Sequence, residues 1–400
     1  MNPSYDLAVG AKRLEKVEAS LIRTILDRAA VLRGEGKPVI PFSAGEPDFN
    51  TPSDIKEATI RAITNNQTKY TSNRGYEPLR RVLAGYIKSE TGTDYDPATE
   101  ILVTSSAAEA LNNIIMTFVD EGDEVIVQMP SFISYKCLVN MCGGKLIELP
   151  LDPANGYQPD MDKLRASISE KTKMIILNNP SNPTGAVFSR EALEEICRLA
   201  LENNILVFSD EIYSRLVYDG AEFCSVASFP GMKDHSVIVS GFSKTFAMTG
   251  WRLGYIATDE KLAARILRTH QYSTTCSPTF IQVGVAEAME SPRTKKEVRE
   301  MVEAFANRRK LVMKCLDEIP GLSYVKPYGA FYIMVDVSAL GLTSMDFSLK
   351  LLEEKYVATV PAVGLSEPTG KYVRISYATS EENITEGMRR IREFAEALRK

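Results

Sequence analysis

Short apolar runs alternate along most of this chain with longer segments in which apolar residues recur at helical spacing. The runs fall at residues 101–104, 124–128, 145–149, 173–177, 205–208 and 237–239. Helical periodicity lies between them, for example over residues 107–119 and 190–203. Because strands that are apolar throughout are buried on both faces, the pattern predicts an α/β fold whose mainly parallel sheet is covered by helices.

The pattern changes near Ser291, where the regular alternation ends. The later elements are predicted as a charged helix over 292–316, strands near Ser323 and over 331–335, a helix over 344–354, a strand over 372–376 and a terminal helix from Glu381. This mixture predicts a smaller α+β domain. We expect residues 1–50, with a helix over 14–33, to join residues 291–400 in it, while residues 51–290 form the large domain.

Residues that suit ligand binding follow the ends of the predicted strands. They are Ser106, Ala107, Ala108, Phe132, Asn182, Asp210, Tyr213 and Lys244. In a parallel sheet the carboxyl ends of the strands lie along one edge, which is where ligands bind. The sequence therefore predicts one site at that edge.

Composition narrows the classes of ligand and compartment. The chain of 400 residues is 44% hydrophobic and 25% charged, and its formal net charge of −5 gives no reason to expect nucleic acid as a partner. Its two histidines argue against a histidine-rich metal site and a Ser-His-Asp triad. Six scattered cysteines without a CxxC pair, with no secretion signal and no long apolar run, predict a cytoplasmic protein without membrane contact.

Two charged residues follow buried strands. Lys244 comes after the run at 237–239 and is either part of a basic loop or a nucleophile whose pKa is lowered by its surroundings. Asp210 ends another apolar strand, and a buried carboxylate needs a cationic or hydrogen-bonding partner. It is either a helix cap or structural ion pair, or the partner of a protonated heteroaromatic nitrogen.

Two turns have small residues where a ligand could approach the backbone. Residues 105–108 (SSAA) precede a helix, whose open N–H groups favour an anion, although the serines also suit an ordinary N-cap. Gly45 lies in the turn at 42–49, where a glycine either satisfies a positive φ or admits a ligand close to the chain.

Five motifs together identify the family that this chain resembles. They are residues 45–49 (GEPDF), 179–185 (NPSNPTG), 209–213 (SDEIY), 243–255 (SKTFAMTGWRLGY) and 374–380 (RISYATS). Their residues and their order over nearly the whole chain resemble a class I aminotransferase of the pyridoxal-phosphate-dependent fold type I superfamily. The resemblance implies a fold type I large domain, residues 51–290, that binds pyridoxal 5′-phosphate.

The resemblance also implies roles for the residues around the cofactor ring. Lys244 would bind the cofactor as a Schiff base and move the proton in the reaction. Asp210 would keep the pyridine nitrogen protonated, Tyr213 and Asn182 would bind the 3′ oxygen, and Phe132 would stack on the ring.

The cofactor phosphate has its own implied partners. It would rest on the N–H groups of Ala107 and Ala108, with Ser106 beside them and Arg252 supplying positive charge. Tyr70 resembles the tyrosine that reaches the phosphate of the other subunit, so we expect a homodimer with shared active sites.

Arg374 resembles the arginine that clamps the substrate α-carboxylate, aided by the Gly45 backbone and by Asn182, whose bond to Pro183 is often cis in the family. The implied reaction moves the α-amino group of aspartate, an aromatic amino acid or alanine to a 2-oxo acid such as 2-oxoglutarate. A pyridoxal-phosphate-dependent β-C–S lyase is the alternative, because it uses the same residues around the cofactor.

Two departures from the family pattern and one likeness to part of the family bear on the site. Gly241 stands where many relatives carry a phosphate-binding serine, which leaves Ser240 and Ser243 as candidates. Ala108 stands where some aspartate-using relatives carry a lysine, which weakens an assignment to aspartate. Ile22, with Arg23, resembles relatives that accept aromatic amino acids, so the preferred donor stays open.

Overall fold

A sheet of seven strands forms the centre of the larger part of the molecule. The computed structural model describes residues 10–17, 21–365 and 370–399. The strands of this sheet are β1 (Ile101–Thr104), β2 (Glu124–Met129), β3 (Lys145–Pro150), β4 (Thr172–Asn178), β5 (Leu206–Asp210), β6 (Ser236–Gly241) and β7 (Gly254–Thr258). Each apolar run of the sequence corresponds to one of these strands, and β7 is an addition.

The strand order is β1-β7-β6-β5-β4-β2-β3. Strands β6, β5, β4, β2 and β3 pair in parallel, whereas β7 is antiparallel to both β6 and β1. The prediction of a mainly parallel sheet is therefore confirmed. Strand β7 was missed because an antiparallel neighbour needs no long helical crossover, so the alternation of strand and helix does not reveal it.

Helices surround this sheet and continue beyond it. In chain order they are α1 (Leu21–Gly34), α2 (Ser53–Thr64), α3 (Glu77–Thr91), α4 (Ala107–Phe118), α5 (Ser134–Met141), α6 (Met161–Ser167), α7 (Arg190–Glu202), α8 (Phe242–Thr245), α9 (Glu260–Ser273), α10 (Thr279–Ala288), α11 (Pro292–Asp317), α12 (Ser344–Lys355) and α13 (Glu381–Leu398). In the described part of the chain, none of them combines the length and apolar character that crossing a membrane requires.

Both faces of the large sheet are buried. In β2, Val125 and Val127 belong to one hydrophobic cluster, and Ile126 between them belongs to another on the opposite face. Successive strand residues point to opposite faces, so each face has its own covering of helices. This double burial explains the apolar runs at the centres of these strands.

A second, smaller sheet is antiparallel. Its strands are β8 (Ser323–Tyr324), β9 (Tyr332–Asp336), β10 (Val360–Pro361) and β11 (Tyr372–Ser376), in the order β10-β11-β9-β8. The early segment of the chain lies against it, because the N–H of Ile40 donates to the carbonyl of Tyr356 at 2.8 Å and the N–H of Ser376 donates to the carbonyl of Phe42 at 2.8 Å. Both Ile40 and Phe42 are buried in the core beside this sheet.

The first helix differs from its prediction over residues 14–33. A short 3-10 turn spans Lys12–Lys16, and α1 begins at Leu21; residues 18–20 lie outside the described part of the chain. Ile25, Ala29 and Leu32 of α1 pack in a small cluster with residues of the α12 region. The apolar periodicity therefore identified the helix but not where it begins.

Candidate active site

A cavity of about 530 Å³ lies at the edge of the large sheet where the parallel strands end. The register sets Asn178 of β4 beside Asp210 of β5, and Gly241 of β6 beside Gly254 of β7. The residues predicted from the sequence that line this cavity are Gly45, Ser106, Ala107, Ala108, Phe132, Asn182, Asp210, Tyr213, Ser243, Lys244, Arg252 and Arg374. Residues that follow the parallel strands meet here because those strands end at this edge, whereas Arg374 comes from β11 of the smaller sheet and Gly45 from the early segment of the chain.

Lys244 extends into the cavity from α8, directly after β6. Its Nζ donates a hydrogen bond to the carbonyl of Gly45. Burial lowers the pKa of Lys244 to about 8; Arg374 and Arg252 also lower it, while Glu46 and Asp210 oppose the change. The amine is therefore more readily neutral than that of a surface lysine.

Asp210 is buried at the end of β5 and has two hydrogen-bond donors. The Tyr135 hydroxyl donates to Oδ2 at 2.7 Å, and the N–H of Ile212 donates to Oδ1 at 3.2 Å. Burial raises the pKa of Asp210 to about 6, while these hydrogen bonds and the Lys244 charge act to lower it. Sequence reasoning missed Tyr135, although it follows Phe132 by three residues and lies at the start of α5.

Arg374 is held in place by three contacts. Its Nη1 donates to Oδ1 of Asn182 at 2.9 Å, its Nη2 donates to the Ser43 carbonyl at 3.3 Å, and its guanidinium lies 4.3 Å from the ring centre of Tyr332. Among the described residues its Nε has no hydrogen-bond partner, although the atom is buried. A buried donor without a partner is unfavourable, so this atom is available for a ligand.

Tyr332 was also missed by sequence reasoning. Its hydroxyl lies 3.0 Å from that of Tyr213, so it contacts both Tyr213 and the ring-stacked Arg374. No sequence motif pointed to it; Tyr332 begins β9, and its ring lies 4.6 Å from that of Phe331 in the core of the smaller sheet. The Asn182–Pro183 bond is cis, as predicted.

A separate corner of the cavity offers N–H groups and positive charge. Helix α4 begins at Ala107, so the N–H groups of Ala107 and Ala108 have no acceptor within the helix. A Cβ atom on Gly254 would lie 2.6 Å from the Ala107 nitrogen, which shows how closely β7 approaches this helix start. The side chain of Arg252 lines the same cavity, and its Nη1 donates to the carbonyl of Thr249 at 2.7 Å.

The two serines that the sequence left open differ in their surroundings. Ser243 lines the cavity beside Lys244. The hydroxyl of Ser240 instead donates to the carbonyl of Glu211 at 3.3 Å and does not line it.

Apolar side chains line the cavity on the side of the N-terminal helix. Ile22 and Leu26 are one turn apart on α1, and Leu365 lies next to them. Ile22 also packs close to the backbone of Gly364. Leu26 and Leu365 were missed, although the spacing of Ile22 and Leu26 could have indicated a shared helix face.

Tyr70, like Ser240, was a candidate from the sequence and does not line this cavity. Its side chain is 86% exposed. The loop that carries it is fixed, because the Thr279 hydroxyl donates to the Lys69 carbonyl at 2.5 Å and Asn73 Nδ2 donates to the Thr275 carbonyl at 2.9 Å.

Comparisons with known proteins identify related chains. The family described as aminotransferase class I and II has a model that matches residues 37–391. The aspartate aminotransferase of Pyrococcus abyssi is 41% identical over 379 residues, and the alignment covers 95% of this chain and 96% of the relative. The aromatic-amino-acid aminotransferase 2 of Thermococcus litoralis is 40% identical with the same coverage. The crystal structure of an aromatic aminotransferase from Pyrococcus horikoshii OT3 superposes with a TM-score of 0.87 at 40% identity, covering 93% of this chain and 99% of that chain.

Proposed function

The chain belongs to the class I and II aminotransferase family and is an aminotransferase of fold type I; from this premise we propose that it binds pyridoxal 5′-phosphate at Lys244 and prefers amino donors with apolar, above all aromatic, side chains. One observation carries the proposal. The cavity combines Lys244, Asp210 and Arg374, yet among the described residues only Arg252 is a further cation in its lining.

The cavity suits the phosphate of the cofactor at one corner. The free N–H groups of Ala107 and Ala108 would bind it, with Ser106 and Ser243 beside them and Arg252 adding positive charge. The absence of a side chain at Gly254 keeps this corner open. An anion with several acceptor oxygens satisfies these donors better than an apolar group would.

The cavity also suits the aromatic ring of the cofactor. Asp210 would face the ring nitrogen, Phe132 would cover one face of the ring, and Asn182 and Tyr213 would hydrogen-bond its 3′ oxygen. The buried charge of Asp210 needs a cationic partner besides its two neutral donors. A protonated ring nitrogen supplies that partner.

When bound, pyridoxal phosphate supplies an electron sink for negative charge at the substrate α-carbon. Lys244 would remove the α-proton and return it, since its lowered pKa leaves part of the amine neutral near neutral pH. Arg374 would hold the α-carboxylate through Nε and one Nη, and Asn182 fixes the other side of the guanidinium. Binding at both ends would orient the α-C–H bond toward Nζ of Lys244.

The preference for apolar donors follows from the cavity wall. Ile22, Leu26 and Leu365 would contact the donor side chain, and burying an aromatic ring there is favourable in proportion to the area removed from water. A side-chain carboxylate would be desolvated without a dedicated cation. The names of the relatives, aspartate and aromatic aminotransferases, do not decide between these donors.

We propose a homodimer in which Tyr70 reaches the phosphate site of the partner. The described surface has a group of exposed apolar side chains on α2, on the loop before α3 and at the end of α9: Ile60, Ile63, Tyr70 and Tyr272, exposed by 62%, 48%, 86% and 88%. Large exposed apolar patches mark protein interfaces. Because Tyr70 lies outside the cavity of its own chain, a contact with the partner would give it a function.

The division into domains remains part of the proposal. Residues 1–50 and 291–400 would form the small domain, and residues 51–290 the cofactor-binding domain. The contact of Phe42 with β11 favours this division, because the N–H of Ser376 in the smaller sheet donates to the Phe42 carbonyl. We propose a cytoplasmic setting because all six cysteines are free thiols.

A single-turnover titration of the protein loaded with pyridoxal phosphate tests the function. Phenylalanine, tyrosine, aspartate and alanine are added in turn, and the cofactor absorption band, keto acid and ammonia are measured. We expect one keto acid per site, no ammonia, and a higher rate constant with the aromatic donors. Phenylpyruvate and 2-oxoglutarate are then compared as acceptors. The second carboxylate of 2-oxoglutarate needs a cation in the cavity, just as the side-chain carboxylate of aspartate does.

The variant Lys244→Ala separates the chemistry from donor preference. It should fold with an unchanged melting temperature but lose the visible absorption band of the loaded protein and the half-reaction. Turnover retained in Lys244→Ala would remove this residue from the proposal. Ammonia and pyruvate released without an acceptor would instead indicate the lyase, and faster reaction with aspartate would contradict the donor preference alone.

A further inference from the structure

Tyr135 contacts both Asp210 and Phe132, the two residues that the proposed function places at the nitrogen and over one face of the cofactor ring. It is fully buried at the start of α5, and its hydroxyl donates to Oδ2 of Asp210 at 2.7 Å. Its ring makes edge contacts with Phe132 and Phe208, at centroid distances of 5.8 and 6.3 Å. The ring is held by packing, so the position of its hydroxyl oxygen beside Asp210 is set before any ligand binds.

We propose that Tyr135 is a positioning residue for the reaction, and that its hydroxyl fixes the orientation of the Asp210 carboxylate and keeps it ionised toward the ring nitrogen of the cofactor. The inference rests on the proposed function, because it requires pyridoxal phosphate beside Asp210. Tyr135 itself acts through Asp210. The Tyr135 hydroxyl donates a hydrogen bond to Oδ2 of Asp210, and the N–H of Ile212 donates one to Oδ1. These two hydrogen bonds together prevent the carboxylate from rotating.

The hydrogen bond from Tyr135 is the strongest influence that opposes the effect of burial on Asp210. Burial raises the pKa of Asp210 to about 6, and the Tyr135 hydroxyl, the N–H of Ile212 and the charge of Lys244 each lower it. Without that hydroxyl the carboxylate would be protonated over a wider pH range. A neutral Asp210 could no longer keep a ring nitrogen protonated.

Other groups that titrate face Asp210 from the elements around it. Lys244 approaches from α8, and Tyr213 follows on the segment after β5. Glu211, the next residue along the chain, is buried and accepts hydrogen bonds from the hydroxyls of Ser209 and Ser225, and burial raises the pKa of its carboxyl to about 8. The charge of Glu211 would oppose that of Asp210, whereas Tyr135 contributes only a hydroxyl dipole.

The test compares the wild type with Tyr135→Phe, which removes one oxygen and keeps the packed ring. Without substrate, the affinity for pyridoxal phosphate is measured by equilibrium dialysis, and the absorption spectrum of the loaded protein is recorded from pH 5 to 9. We expect an affinity loss of roughly 10- to 100-fold, as for a lost hydrogen bond to a charged group. The acid limb of the half-reaction profile should move upward by about one pH unit.

Two comparisons give the result its meaning. Tyr218→Phe removes another buried hydroxyl, which donates to the Ala330 carbonyl away from the cavity, and it should change neither affinity nor the pH profile. In the Asp210→Asn background, Tyr135→Phe should have no further effect, because the two residues act as one unit.

The possible outcomes distinguish a failure of the role of Tyr135 from a failure of the proposed function. A wild-type protein that shows no absorption band with pyridoxal phosphate would refute the proposed function itself. With a normal wild type, a loss in Tyr135→Phe that is the same at every pH, or that adds fully to the effect of Asp210→Asn, would overturn the role of Tyr135. A spectrum and affinity unchanged by Tyr135→Phe would overturn it as well.

Discussion

Single charged residues define what the cavity can do, because each one is partly or fully removed from water. Arg374 is buried and stacked on Tyr332, and Asp210 is buried beside Tyr135. A buried charge is costly unless it is paired and hydrogen-bonded. Arg374 Nε has no partner among the described residues, and the Asp210 carboxylate is hydrogen-bonded only by neutral donors. These positions therefore favour a ligand carboxylate at Arg374 and a protonated nitrogen at Asp210.

The amine of Lys244 should react over an unusual pH range. Burial lowers its pKa to about 8, so the neutral, nucleophilic form predominates above about pH 8, whereas an ordinary lysine needs a pH above about 10.4. We expect the rate at which cofactor-free protein takes up pyridoxal phosphate to rise with pH through a midpoint near 8 and to level off above it. Stopped-flow absorbance measures this rate.

N-acetyl-lysine amide, mixed with pyridoxal phosphate in the same buffers, is the control for Lys244, since it corrects for the titration of the cofactor. Its rate should still be rising where that of the protein is constant. Two parallel curves up to pH 10 would show that the surroundings of Lys244 do not lower its pKa.

Replacing Arg374 should weaken the binding of every α-amino acid donor. In Arg374→Ala, Asn182 and Ser43 lose their partner and the substrate carboxylate is buried unpaired, a loss of about 2–5 kcal/mol in kcat/KM. Steady-state kinetics with phenylalanine measures this loss. The matched control is Arg190→Ala, which removes an arginine stacked 5.0 Å from the Phe229 ring and outside the cavity, and it should leave kcat/KM unchanged. An equal KM in Arg374→Ala and the wild type would mean that another group holds the carboxylate.

At the scale of elements, close backbone approach sets the geometry around the site. Gly254 of β7 brings that strand against the start of α4, and Gly284 brings α10 against α2. A Cβ atom on Gly284 would lie 2.0 Å from the Thr59 hydroxyl oxygen and 2.7 Å from the Thr59 nitrogen. Side chains cannot relieve an overlap with backbone, so the helices would have to separate.

Gly284→Ala should therefore destabilise the fold. We expect the free energy of unfolding to fall by about 1–3 kcal/mol, the cost of overpacking a dense interior, as measured by urea denaturation. Gly85→Ala on α3 is the control, because nothing lies within 4 Å of a Cβ atom at that position. Since alanine is the better helix former, Gly85→Ala should stabilise by roughly 0.5–1 kcal/mol. Equal effects of the two substitutions would contradict the packing of α10 on α2.

At the scale of the whole molecule, the exposed apolar side chains of α2 bear on assembly. The double variant Ile60→Glu, Ile63→Glu places two negative charges on this face of α2. It should raise the dissociation constant of the proposed dimer by at least about 100-fold, because each isoleucine buried in the interface contributes roughly 1.5–3 kcal/mol to the free energy of association. Sedimentation equilibrium measures it, and the affinity for pyridoxal phosphate should fall with it if Tyr70 of the partner completes the site.

Val31→Glu provides the matched control for this interface, because Val31 is 50% exposed but lies on α1. It should sediment as the wild type does. A double variant that stays dimeric would place the interface elsewhere, and a wild type that is monomeric at every concentration would end the proposal of shared sites.

The family and the chemistry were readable from the sequence. Apolar runs gave the parallel strands because a strand buried on both faces is mostly apolar. This applies to β1, β2, β4, β5 and β6, whereas β3 at the edge of the sheet is partly exposed. Motifs around Lys244, Asp210 and Arg374 identified an aminotransferase, which the family and its named members confirm. Such motifs are local, since chemistry at a strand end needs fixed residue types at fixed spacing.

Tertiary structure decided what depends on contacts between distant segments. The hydroxyl of Tyr135 on Asp210, the ring of Tyr332 under Arg374 and the apolar wall of Leu26 and Leu365 join residues that no local pattern connects. Strand β7 belongs here too, because its antiparallel place is fixed by pairing with β1 and β6. Side-chain packing selects these partners, and packing is a property of the folded chain as a whole.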